Sequence, residues 1–279
     1  MTDAREEMLD RWEGVAGGWK ATRARFQRVA MPVSQWMVEA IHPQPGHRVL
    51  ELAAGLGDTG LLAAELVQPG GSVIISDGAE GMVQAAREHA AEVGAANVEV
   101  RQMQAEWIDL PAASVDAVLC RFAYMLLVDP EAALRETRRV LKPGGRVALA
   151  VWDELDRNPW VAVMRRAQEE LGLAEPPRPN EPGQFSLSSP DSVQALLDAT
   201  GFYDVEVEGI DVAFEAASLD EWWEQIVQTS PGLSAAVREL APADHYKLRD
   251  ALDAGYQPYV RDDGSLQVPG RALVAAATA

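Results

Sequence analysis

The chain has 279 residues, enough for one large α/β domain with insertions, and carries 24 Lys and Arg against 43 Asp and Glu, a formal charge of −19. A surface that acidic repels phosphate backbones and anionic membranes, so neither nucleic acid nor a membrane is an expected partner. The single cysteine, Cys120, excludes an intrachain disulfide and a cysteine-based metal cluster, and no His and carboxylate group has ligand-like spacing, so no metal is expected.

The charged opening MTDAREEMLDRWEG lacks the apolar stretch of a signal peptide, and no apolar run is long enough to span a bilayer, which points to a cytoplasmic protein. Residues 1–44 read as a helical arm. From Arg48 to Trp152, apolar runs of strand length alternate with helical patterns, the mark of a parallel sheet wound with helices. The predicted strands are Arg48 to Leu52, Ser72 to Ser76, Val98 to Met103, Val115 to Arg121 and Gly145 to Trp152. Helices are predicted over Gly60 to Val67, Ala79 to Val93, ended by Gly94, and Glu131 to Val140. A cofactor-binding core over 45–152 follows.

Beyond Trp152 the pattern predicts a helix from Asn158 to Leu171, a Pro-rich loop from Glu175 to Gly183, and a capped helix from Ser189 to Gly201. A strand over Tyr203 to Val212, a helical insert from Leu219 to Tyr256 and a last strand over Ala272 to Ala276 complete residues 153–279. The insert carries Trp222 and Trp223; with Trp160, Tyr256 and Tyr259 it would form a lid with an aromatic lining, suited to a flat or apolar acceptor such as a phenol, quinone precursor or polyketide.

The segment Val49-Leu-Glu-Leu-Ala-Ala-Gly-Leu-Gly-Asp-Thr-Gly60 runs from a strand through a glycine loop into a helix, where Gly55 and Gly57 let a ligand approach the backbone closely. Gly55-x-Gly57-x-x-Gly60 alone serves NAD as well as other cofactors. Glu51, just before the loop, would repel a pyrophosphate and suit a ligand bearing an amino group and a sulfonium. Asp77 closes the second strand, where a carboxylate can accept both ribose hydroxyls in bonds worth roughly 1.5–3 kcal/mol each. Gln104 or a nearby backbone amide would meet an adenine edge, with Trp107 or Met82 against the ring; Trp107 fits the core equally well.

Together, Glu51-x-Ala53-x-Gly55-x-Gly57, Asp77, Ala105-Glu106, the strand Asp116-Ala-Val-Leu-Cys-Arg-Phe, Asp129-Pro130 and Arg139-Val-Leu-Lys-Pro-Gly-Gly-Arg resemble class I S-adenosylmethionine-dependent methyltransferases of the ubiquinone-biosynthesis-like group. The resemblance implies a Rossmann-like, doubly wound α/β fold with a mostly parallel seven-stranded sheet, an antiparallel last strand, the amino-terminal helical arm and helical lid insertions. It also implies methyl transfer from S-adenosylmethionine to a small-molecule acceptor. The cofactor residues would be Glu51, Ala53, Gly55, Gly57, Asp77, Gly78, Met82, Gln104, Ala105 and Glu106, joined by Arg121 and Phe122. The arm element Trp12-x6-Trp19 resembles one that folds over the cofactor in this group.

The chain departs from that group at Ala53, which replaces the usual first glycine and is tolerable if its dihedrals are ordinary, at Glu51 for aspartate, and at Gln104 for aspartate. By the rule for open α/β sheets the acceptor lies above Arg121, Phe122, Tyr124 and Trp152, with Trp12 closing over it. Tyr124, His245 and Tyr246 are candidates for a general base, needed only if the acceptor must lose a proton, and none is assigned that role. Lys142 belongs to a structural turn. An NAD-dependent oxidoreductase, and a non-catalytic adenosyl-ligand-binding protein of the same fold, are the competing readings; self-association stays open.

Overall fold

The computed structural model describes residues 2–14, 16–173, 182–230, 233–234, 237–238 and 240–279. Helices α1 (Thr2–Glu13) and α2 (Ala16–Ala40) precede β1 (Arg48–Glu51), α3 (Asp58–Leu66), β2 (Ser72–Asp77), α4 (Glu80–Glu92), β3 (Val98–Gln102) and β4 (Val115–Arg121). Then come α5 (Pro130–Val140), β5 (Leu141–Trp152), α6 (Pro159–Glu170), α7 (Pro190–Ala199), β6 (Tyr203–Ala216), α8 (Leu219–Thr229), α9 (Pro242–Tyr256) and β7 (Leu266–Thr278). Of the Pro-rich stretch expected as a loop, residues 175–181 lie outside the described residues. No described helix is long and apolar enough to cross a membrane.

The strands form one sheet in the order β3-β2-β1-β4-β5-β7-β6, in which β7 alone runs against the direction of the other six. Its central strands are apolar runs because helices cover both faces: Val49 and Leu50, Val73 to Ile75 and Ala117 to Cys120 are all buried. Helix α5 shows how the sequence sets each covering element. Asp129 Oδ1 accepts the Ala132 N–H at 2.9 Å, Pro130 opens the first turn, and Ala133, Leu134, Thr137 and Val140 make one buried stripe. Ser189 and Ser192 cap α7 reciprocally.

The predicted strands all form, and the two last ones are longer than expected. Pro269 and Gly270 break the strand signal at the start of β7, yet Pro269 pairs with Ala213 of β6. Proline is tolerated there because β5 joins β7 only from Ala272 onward, so the missing N–H faces an open edge. Likewise Leu141 pairs with Val115 before a register shift, and the Lys142-Pro-Gly-Gly turn is a bulge within β5, with Lys142 Nζ on Asp116 Oδ1 at 2.7 Å. The helical insert packs as α8 and α9 against α6 and the outer ends of β6 and β7, around Trp222, Ile226, Leu248, Leu252 and Tyr256.

β1 and β4 are neighbours although β2 and β3 follow β1 in the chain, and this switch of direction opens a crevice at their carboxyl ends. Helix α3 approaches that point closely: a Cβ on Gly60 would stand 2.5 Å from Glu51 Oε2 and 2.9 Å from Ile75 Cγ1. Gly60→Ala is therefore expected to lower unfolding free energy by about 1–3 kcal/mol in urea titration; an unchanged midpoint would show that α3 can shift outward at no cost.

Candidate active site

Every turn of the loop after β1 is held by its neighbours. Leu52 donates to Leu119 O of β4 at 2.8 Å and Ala54 to Ser76 O of β2 at 2.9 Å, so the loop is stitched to both flanking strands. Between them Ala53 adopts φ +47°, followed by Gly55 at +56° and Gly57 at +78°. The methyl of Ala53 thus sits in left-handed backbone, where a side chain costs roughly 1–2 kcal/mol, and not in the ordinary conformation its substitution for glycine suggested. Phe122, directly after β4, is also left-handed at φ +59°. The two strained residues border the same cavity.

Asp77 organises this loop from the next strand. Its Oδ2 accepts the Gly55 N–H at 2.9 Å and its Oδ1 the Ala79 N–H at 3.0 Å, and the Gly78 amide also acts on the carboxylate. Burial pushes its carboxyl above the usual range, against the pull of those amides.

The cavity occupies roughly 1150 Å³ including its mouth. Its floor is the loop from Ala53 to Leu56 with Asp58; its sides are Asp77, Gly78, Met82, Met103, Gln104, Ala105 and Glu106 on one hand and Arg121, Phe122, Ala123, Leu126 and Leu127 on the other. Helices α1 and α2 roof it with Arg5, Met8, Leu9, Trp12, Trp19, Arg23 and Phe26. Two contacts fasten α1: Arg5 Nε lies 3.3 Å from Glu106 Oε1, and the Glu13 carboxylate accepts the Gly81 N–H at the start of α4. Trp12 and Trp19 pack on Ala79 and Met82.

The expected residues Ala53, Gly55, Asp77, Gly78, Met82, Gln104, Ala105, Glu106, Arg121, Phe122, Trp12 and Trp19 are thus brought to one cavity, while Glu51, Gly57, Tyr124 and Trp152 are not on its wall. Gly57 turns toward β2, where a Cβ would meet Ile75 Cδ1 at 2.9 Å. Tyr124, placed by the sheet rule beside the acceptor, is fully buried, with its hydroxyl 2.7 Å from Thr137 Oγ1 of α5 and held well above its ordinary pKa by burial, so it faces the core and is no general base. Trp152 lies behind Phe122, stacked on it at 4.1 Å and 9°. Trp107, expected on the adenine ring or in the core, does neither; it is 78% exposed on the turn after Gln104.

His245 stands edge-on to Trp223 and Tyr246 is 72% exposed, both away from the cavity. Trp222 and Tyr256 fill the apolar cluster of α6, α8 and α9, and Trp160, Trp223 and Tyr259 pack against it, so the aromatic wall comes from the arm and Phe122 rather than from this insert. Sequence reasoning overlooked Asp58, Arg23 and Phe26. A signal for two of them was present, since Trp19, Arg23 and Phe26 are spaced four and three apart and share one face of α2.

Glu51 does not line the cavity. It is 1% exposed, its Oε2 accepts the Gly60 N–H at 2.8 Å, and burial raises its pKa to about 8 despite the nearby Arg121 guanidinium. Its charge is therefore largely absent at neutral pH and does not select a cationic ligand. Since the folded state holds this proton up to about pH 8 and the unfolded chain releases it near 4.5, the stability it contributes is complete below 4.5 and is lost as pH rises to about 8. Glu51→Gln, which keeps an acceptor for Gly60, is expected to remove that loss, so that the variant gains on the parent by up to a few kcal/mol across this window in denaturant titrations; parallel pH profiles would contradict it.

Residues 52–149 match the family model described as a methyltransferase domain. Nocamycin O-methyltransferase of Saccharothrix syringae is 30% identical over 218 residues, covering 75% of this chain and 77% of that protein. The ubiquinone/menaquinone biosynthesis C-methyltransferase UbiE of Pseudomonas fluorescens is 33% identical over 141 residues, 50% of this chain and 54% of that enzyme, about half its length. In fold, the chain is similar to the crystal structure of the Bacillus YcgJ protein, with a TM-score of 0.61 at 21% identity over 89% of this chain and 98% of that one. The oxidoreductase reading gives way to these matches. A glycine loop at a switch point, a carboxylate closing β2 and a sequence related over 75% of its length to a methyltransferase agree, and the chain belongs to the S-adenosylmethionine-dependent methyltransferases.

Proposed function

We propose that the chain binds S-adenosylmethionine along the glycine loop and Asp77 and passes its methyl group, by in-line displacement, to a flat, largely apolar acceptor roofed by the amino-terminal arm. The observation that carries this reading is the single cavity in which a loop built for close backbone approach, a ribose-suited carboxylate and an aromatic wall meet. The residues fit the donor. Asp77 stands on the wall for the ribose hydroxyls, Met82 and Ala105 offer apolar faces for the adenine ring beside Gln104, and the buried indole N–H of Trp19 has no partner among the described residues.

S-adenosylmethionine supplies a methyl group already activated by its sulfonium, so the protein's task is alignment and exclusion of water, which can lower a barrier by on the order of 7–11 kcal/mol. Trp12, Trp19, Phe26 and Phe122 form the acceptor-side wall, and Arg5–Glu106 with Glu13–Gly81 hold the roof down. No imidazole or phenol lines the cavity among the described residues, whereas Arg23 does. That supports an acceptor that arrives ionised, an enol or phenol of low pKa, in place of one deprotonated by the enzyme. In this reading residues 1–44 are the roof, 45–152 the donor-binding core, and 153–279 its outer strands with the helical insert; the chain works on small molecules in the cytoplasm, in keeping with its acidity and lone buried Cys120.

Two measurements test it. With methyl-labelled S-adenosylmethionine and a panel of enols, phenols and amines, label is expected in enols or phenols, at rates that follow their ionised fraction; label confined to amines would overturn the acceptor class. Asp77→Ala is expected to weaken S-adenosylhomocysteine binding tenfold or more by isothermal titration calorimetry, and an unchanged dissociation constant in the folded variant would remove Asp77 from the donor site.

A further inference from the structure

Three arginines stand on the cavity wall, and the chain's own acids hold them unequally. Arg5 Nε lies 3.3 Å from Glu106 Oε1, on a carboxylate largely shielded from solvent. Arg121 is buried, donates to Ser34 Oγ at 2.9 Å and has the acids Glu51 and Asp58 beside it. Arg23 has no such tie. Its Nη1 stands 3.9 Å from Glu92 Oε2, beyond hydrogen bonding, and that carboxylate is 65% exposed, so the pair contributes little in water. The Arg23 side chain is itself 28% exposed, and its donors remain open to a ligand.

The setting of this cation is aromatic. Trp19, Arg23 and Phe26 follow one another at spacings of four and three along one face of α2, and all three line the cavity. Trp19 and Phe26 meet edge to face at 4.7 Å, and Phe26 reaches Phe122 at 6.3 Å. Aromatic side chains pack well on a flat molecule, and a guanidinium pairs with an oxyanion through parallel N–H groups. Arg23 and two of the rings belong to the roof, whereas the glycine loop is the floor.

Resting on the methyl-transfer reading above, we infer that Arg23 determines acceptor specificity by charge: it holds the oxyanion of a flat enol or phenol before transfer and loses its hold once the oxygen is methylated. In that transfer the acceptor oxyanion attacks the methyl carbon. The O–C bond forms as the S–C bond breaks, the electron pair of the broken bond stays on sulfur, and no proton moves. Anion and sulfonium are consumed together, leaving a neutral methyl ether and an uncharged thioether sulfur. Arg23 therefore favours substrate over product, and the contact that draws the acceptor in ends at the step after which release is needed.

The test pairs flat enols and phenols with their own methyl ethers, beginning with 4-hydroxycoumarin, which is ionised at neutral pH, and 4-methoxycoumarin. Each is titrated calorimetrically into the full chain saturated with S-adenosylhomocysteine, so that no turnover intervenes. The parent is expected to bind the ionised member about tenfold or more tighter than its ether. Arg23→Gln is expected to remove most of that preference by weakening the anion alone, with the ether and S-adenosylhomocysteine each within about twofold of the parent, and Arg23→Lys to keep part of it. Because the described partner of Arg23 is an exposed carboxylate, both variants are expected to keep the parent's melting temperature. A preference unchanged in Arg23→Gln, or a parent that prefers the ionised member in no pair, would overturn the inference. So would Arg23→Gln weakening S-adenosylhomocysteine while the preference persists, which would move Arg23 to the donor. Failure of the parent to bind S-adenosylhomocysteine would instead overturn the methyl-donor reading.

Discussion

The carboxylate of Asp77 is the joint on which the site depends. β2 brings it to the carboxyl edge of the sheet, in register with Gln102 of β3, and from there it takes the N–H of Gly55 with one oxygen and that of Ala79 with the other. One side chain thereby ties the loop leaving β1 to the start of α4, two segments that nothing in local sequence would bring together. The half-buried carboxyl is raised above its usual range by desolvation while the surrounding backbone amides pull the other way, and the residue lines the cavity. The loop's left-handed residues and the close seat of Gly60 over Ile75 follow from holding that backbone so near to β2.

Beneath the loop lies a second acid whose role differs from what its position in the motif suggests. Glu51 serves the fold: it accepts the Gly60 N–H, carries a proton up to about pH 8, and shows no oxygen to the cavity. An argument that an anion at the end of β1 rejects pyrophosphate therefore reaches the right cofactor class through the wrong residue. An acid that does line the cavity beside the loop stands seven positions later, Asp58 at the first turn of α3, where an acid is also favoured by the helix dipole. Strand-end acids and helix-start acids are hard to tell apart in sequence because both border the same turn; only the structure separates the anchor beneath the loop from the acid that lines the cavity.

The sheet could be read from the chain because parallel strands buried on both faces leave continuous apolar runs, and β4 was legible to its last residue. β7 was half hidden, since Pro269 and Gly270 are breakers anywhere except on the open edge they occupy. Residues fixed by the loop and strand ends, such as Asp77, Gly55 and Gln104, reach the cavity wall, whereas Tyr124 does not, because its short helical turn rotates it into α5 and no sequence pattern reports that rotation. Ala53 looked like a mild substitution. Its cost is visible only in the backbone dihedral.

Phe122 connects these local features to the rest of the chain. Its left-handed backbone, just past β4, is strained, and its ring is fixed between Phe26 of the arm at 6.3 Å and Trp152 at 4.1 Å. Trp152 in turn meets Trp160 at 4.9 Å, and Trp160 meets Phe214, Trp222 and Tyr256 through successive ring contacts within the insert's core. Aromatic rings at these separations interlock as rigid bodies, so the helical insert reaches the cavity through packing although none of its described residues lines the wall. The energy that holds Phe122 in a conformation it would not adopt alone is thus supplied by both ends of the chain. The shape of the cavity beside Phe122 is set jointly by the arm that covers it and by a cluster that never touches what it holds.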